Sequence, residues 1–75
     1  MKLEYDKASN SAYLSLVPLS PGMSAKTYAC DPEEIGGQIQ LDFDAEGRLI
    51  GIEVLDASAL LPPEVLKSKA SSRAG

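Results

Sequence analysis

The stretch Gln38-Ile39-Gln40-Leu41-Asp42-Phe43, then Asp44-Ala45-Glu46-Gly47, then Arg48-Leu49-Ile50-Gly51-Ile52-Glu53-Val54 decides the fold. Ile39, Leu41 and Phe43 recur with period two, and Ile50, Ile52 and Val54 do the same beyond a turn-forming tetrapeptide. Two alternating runs joined in this way read as an antiparallel hairpin with one dry face and one wet face. Register follows from matching those faces. A four-residue loop over Asp44 to Gly47, with Gly47 left-handed, sets Leu41 opposite Ile50 and Ile39 opposite Ile52. A three-residue loop would oppose Asp42 to Ile50 and mix the faces, so the longer loop is expected. Gly51, mid-strand, signals a close approach or a bulge, and the side chain of Tyr13 on a neighbouring strand is the expected cause.

Working outward, Lys2 to Asp6 and Ser11 to Val17 also alternate, with Lys7-Ala8-Ser9-Asn10 as the turn between them. Ala12, Leu14 and Leu16 share a face. Pro18 and the Ser20-Pro21-Gly22 cluster end that run, because proline cannot donate to a ladder. A weaker strand from about Ser24 to Cys30 follows, stopped by Asp31-Pro32; its poor apolar content suits a sheet edge. Asp56 is placed to cap a helical turn over Ala57 to Leu61. Pro62-Pro63 ends that turn and starts a second short helix, Glu64 to about Ala70.

The expected fold is therefore α+β, mainly β: an antiparallel β-meander of about five short strands followed by one or two short C-terminal helices. One domain over residues 1–70 and a disordered tail over 71–75 account for the 75 residues. The expected core is Leu14, Leu16, Ile39, Leu41, Phe43, Ile50, Ile52 and Val54. Leu60, Leu61, Val65 and Leu66 are too few to cover a five-stranded sheet, so a homodimer is expected to bury the rest.

Seven Lys and Arg against eleven Asp and Glu leave a net charge of −4. Ten of the acids and four of the bases fall in residues 1–56, which makes the body −6. That balance repels phosphate and disfavours nucleic acid, while it steers a small basic protein toward the surface. No apolar run approaches the roughly 20 residues of a membrane span. Cys30 is the single cysteine and histidine is absent. The usual activated thiolate pair and the commonest metal ligand are therefore missing, and a reducing, cytoplasmic setting without a secretion signal is expected. No cofactor is expected.

Met1-Lys2-Leu3-Glu4-Tyr5-Asp6, followed by Ala12-Tyr13-Leu14-Ser15-Leu16, resembles the opening of a small bacterial family called domain of unknown function 2283. The block from Asp42 to Ser58 is similar to that family's most recognisable segment, and the likeness covers about residues 1–66. It implies a small β-rich fold with no assigned catalytic residues. Members encoded beside small toxin-like proteins imply an antitoxin or accessory role.

One spacing points elsewhere. Asp42, Asp44, Glu46, Gly47 and Glu53 fall at the positions of an EF-hand calcium loop. An EF-hand needs a helix on each side, whereas both flanks here alternate as strands, and Glu46 stands where a shorter Asp or Asn is usual. The hairpin reading is preferred, and metal-ion or small-ligand binding by this acidic 42–53 hairpin is the alternative. Asp42, Asp44 and Glu53 read as wet-face carboxylates, and one thin layer offers no pocket for them, so no enzyme is expected. The sequence as a whole points to a non-enzymatic protein-interaction module.

Overall fold

Alternation of apolar and polar residues produces five strands: β1 (Lys2–Asp6), β2 (Ser11–Ser15), β3 (Lys26–Ala29), β4 (Gln38–Phe43) and β5 (Leu49–Leu55). Helix α1 (Pro32–Ile35) precedes β4, α2 (Ala57–Leu60) follows β5, and residues 63–67 are also helical. The computed structural model describes residues 1–67. The expected helix end near Ala70, the close of the 1–70 domain and the 71–75 tail lie outside the described residues. All strand pairs are antiparallel. The α+β, mainly β class is therefore what the chain adopts.

The strand order is β1-β2-β5-β4-β3. β3, β4 and β5 run as a meander, while β2 pairs with β5 instead of its successor in the chain. The physical reason is the apolar content of β5. Ile50, Ile52 and Val54 need neighbours on both sides, and the polar β3 takes the edge that its composition suits.

The β4–β5 register departs from the expected one. Leu41 faces Ile52 and Ile39 faces Val54, and Asp42 pairs with Gly51 while Phe43 pairs with Leu49, so a bulge leaves Ile50 without a partner on β4. Asp44 N–H donates to the Arg48 carbonyl at 2.9 Å, which closes a loop of Ala45, Glu46 and Gly47. The loop is thus one residue shorter than expected. The extra residue of the bulge restores parity and returns Ile39, Leu41, Ile52 and Val54 to one face. Gly47 is left-handed as expected, at φ 81°.

The dry face collects Leu3 and Tyr5 from β1, Ala12 and Leu14 from β2, Ile52 and Val54 from β5, and Ile39 and Leu41 from β4, as the register requires. Its covered end is the cluster of Ala12, Val54, Ala57 and Leu66, with Leu3, Tyr5, Ile39, Ile52, Leu60 and Leu61 packed against it. Of the expected core residues, Ile50 and Val54 are buried, at 3% and 5% exposure, while Leu14, Leu16, Ile39, Leu41, Phe43 and Ile52 are half-buried.

Two helix starts differ from expectation. The first is α1, which the sequence reading passed over as a strand stop. Asp31 caps it by accepting from Glu33 N–H at 3.0 Å, Pro32 opens it, and left-handed Gly36 closes it with an N–H donated to the Pro32 carbonyl. The second is α2, where Asp56 has a left-handed backbone (φ 56°, ψ 48°) and makes no side-chain cap, its carboxylate accepting from Asn10 Nδ2 instead. Asn10, from the β1–β2 turn, takes over. Its carbonyl accepts from Ala57 N–H at 2.8 Å and its side-chain Oδ1 accepts from Ser58 N–H at 3.0 Å.

Candidate functional site

The wet face carries the polar groups that register brings side by side. Across β2, β5 and β4 one row runs Tyr13, Glu53, Gln40; the next runs Ser15, Gly51, Asp42 and continues to Thr27 on β3. Tyr13 reaches diagonally between the rows. Its ring lies over Gly51, where a Cβ would sit 2.6 Å from the phenol Cζ, closer than such atoms ever approach. Glycine is required there by space. The sequence reading of Gly51 against Tyr13 describes this contact.

At the end of that reach, Tyr13 Oη donates to Asp42 Oδ2 at 2.6 Å, and Thr27 Oγ1 donates to Asp42 Oδ1 at 2.7 Å. The Asp42 carboxylate is thus held at both oxygens, by residues from β2 and β3, and the network spans four strands. Short O–H···O⁻ bonds of this kind are among the stronger ones. Burial, then the hydrogen bond to Asp42 and the charges of Asp42 and Glu53, together push the Tyr13 hydroxyl up to about 12. Tyr13 therefore remains a protonated donor at neutral pH. The arrangement fixes a carboxylate in place and leaves neither oxygen without a donor.

The other acids of the 42–53 hairpin have separate duties. Asp44 Oδ1 accepts from the Glu46 and Arg48 backbone N–H groups, both at 2.9 Å, which organises the turn. Glu46 pairs with Arg48 at 3.5 Å on the open surface. Glu53 stands beside Tyr13. Among the described residues no three His, Cys, Asp or Glu side chains come together as a metal site would need. Strands, not helices, flank the loop.

Two clefts lie among the described residues. One of about 500 Å³ is lined by Met1, Lys2, Glu4, Tyr13, Ser15 and Val17 to Leu19, and Lys2 and Glu4 pair there at 3.6 Å. Another, of about 290 Å³, lies where β3 ends and β4 begins, beside the free, half-buried Cys30. No helix among the described residues is long and apolar enough to cross a membrane. The residues that the sequence reading missed are Thr27 and Asn10. Each is an ordinary surface or turn residue until pairing brings its partner within reach, so only the register could have found them.

A thin antiparallel sheet, one face partly covered by short helices and the other bearing the Tyr13–Asp42–Thr27 network, defines a small β-rich protein. The chain belongs to the family described as Protein of unknown function (DUF2283), which matches residues 2–58. That match holds all five strands and ends at Ser58, short of the helical segment 63–67. No curated protein and no solved structure matches the chain.

Proposed function

We propose that this protein is a non-enzymatic interaction module that acts as a homodimer and offers its acidic surface to a small basic protein, in an antitoxin-like or accessory role. The observation that carries the reading is an imbalance between the two faces. The wet face satisfies its own polar groups through Tyr13, Asp42 and Thr27. The dry face leaves Leu14, Leu16, Leu41 and Phe43 half-buried and outside the helical cluster. The short helices give the sheet a thin core, and a second copy would add to it.

Other features agree with it. A body of −6 attracts a basic partner and repels phosphate, which favours protein over nucleic acid. Cys30 has no histidine in the chain to activate it, and Asp42 has both oxygens engaged, which favours binding over catalysis. A lone cysteine suits a reducing cytoplasm. The metal or small-ligand reading of Asp42, Asp44, Glu46 and Glu53 has no comparable support, since hydroxyl and backbone donors already engage Asp42 and Asp44.

The test is recovery of the tagged full chain from its native cells at low and at high salt. A stoichiometric basic protein, held at low salt and released at high salt, is the expected result. Recovery of the chain alone under both conditions would contradict the proposal.

A further inference from the structure

We propose that two copies of this chain join through the β3 edge. Each β3 pairs antiparallel with the β3 of the other protomer about a two-fold axis at Tyr28, and the two sheets become one. This rests on the homodimer reading above and gives it an interface.

Backbone parity defines the open edge. Cys30 N–H donates to the Ile39 carbonyl at 2.9 Å, so Cys30, and with it Tyr28 and Lys26, turns its backbone groups inward to β4. Thr27 and Ala29 alternate with them and present N–H and C=O outward, on a strand that ends the sheet. All of β3 is exposed, and Tyr28 keeps 57% exposure. The edge is also held in position, since Thr27 Oγ1 donates to Asp42, itself bonded to Tyr13 of β2.

Three features make β3 its own complement. An axis at Tyr28 opposes Thr27 to Ala29 of the copy, so the outward N–H and C=O groups of one strand meet those of the other. Charge is complementary as well. Lys26 is the one charged residue of β3, and Asp31, Glu33 and Glu34 follow the strand's other end. Antiparallel pairing sets the basic start of each strand beside the acidic end of the other and opposes no like charges. A wholly basic or wholly acidic strand would meet repulsion at one end.

The exposed ring is the third feature. Tyr28 falls opposite Tyr28 of the copy in a non-hydrogen-bonded pair, where facing side chains lie closest and aromatic pairs add stability. Leu3, Leu14, Ile52, Leu41 and Tyr28 form one cross-strand row of the dry face. The facing rings carry that row from one protomer into the next.

The experiment mixes isotope-labelled and unlabelled full chains and records isotope-filtered NOEs, alongside sedimentation equilibrium of the wild type, Ala29→Pro and Lys26→Glu. A contact between the Tyr28 Hα protons of two protomers is expected, because such protons face each other in a non-hydrogen-bonded pair. Ala29→Pro removes an outward N–H and spares the ladder to β4. Folded by far-UV circular dichroism, it should dimerise at least tenfold more weakly. Lys26→Glu sets like charge against Asp31, Glu33 and Glu34 of the copy, and should weaken the dimer more at low salt than at high salt. If Ala29→Pro does not fold, the NOEs on the unaltered chain decide alone. A wild-type dimer that Ala29→Pro leaves intact, with cross-protomer contacts away from β3, would overturn this interface and leave the homodimer standing. A wild-type monomer at 100-micromolar concentration would overturn both.

Discussion

Asn10 and Asp56, 46 residues apart, are joined by a hydrogen bond from Asn10 Nδ2 to Asp56 Oδ1 at 2.9 Å. Among the described residues they are also the two non-glycine residues with positive φ, at 54° and 56°. Asn10 Nδ2 lies 2.9 Å from Ser58 Oγ, and Oδ1 accepts from Tyr5 Oη and from Ser58 N–H, both at 3.0 Å. One carboxamide therefore ties the β1–β2 turn to the start of α2. Asparagine fits because it tolerates the left-handed region and both donates and accepts.

Asn10→Ala should therefore lower stability by about 0.5–2 kcal/mol, the usual cost of a lost cap. For a domain of this size each 1 kcal/mol moves Tm by roughly 4–8 °C. Thermal denaturation followed by circular dichroism reads it directly. A melting curve that overlays the wild type would mean that the turn and the helix are not coupled through this side chain.

Gly51→Ala should be strongly destabilising, because the added methyl meets the Tyr13 ring. The contact is specific to the pair, so the penalty should shrink in a Tyr13→Ala background. A double-mutant cycle from urea titrations should give a coupling of about 0.5–3 kcal/mol. Independent, additive effects would count against the packing described here.

Alkaline pH isolates the Tyr13–Asp42 bond. The folded state holds the Tyr13 hydroxyl at about 12 against an ordinary 10.0. The unfolded chain thus releases this proton first as pH rises. The stabilisation is fully present below pH 10 and is lost between about 10 and 12. Unfolding titrations across that window should show the wild type losing its advantage over Tyr13→Phe. Two parallel profiles would remove the hydrogen bond from the account.

Calcium at millimolar concentration should leave Tm unchanged. A ligand that binds only the folded state must raise it, and Asp42, Asp44, Glu46 and Glu53 are each engaged or held apart as described above. A rise of several degrees on adding calcium, reversed by a chelator, would restore the EF-hand-like reading of the hairpin.

How far the sequence could be read depended on the range of the interaction concerned. Period-two alternation showed the two hairpin strands and their faces, and the left-handed Gly47 and the Gly51–Tyr13 approach were legible because each turns on steric demands of a single residue. The capping signals of α1 (Asp31, Pro32, Gly36) were present too, but read only as an interruption. The bulge at Ile50 was not legible, since parity alone cannot separate a four-residue loop from a three-residue loop plus one extra residue. Nor was the central place of β5, or Asn10 standing in for Asp56, because each depends on which distant segment arrives beside it.

The most direct test of the central claim is sedimentation equilibrium of the full chain over micromolar to 100-micromolar concentrations. The account predicts a species of twice the 7.9 kDa chain mass at the upper end of that range. A 7.9 kDa particle throughout would contradict it.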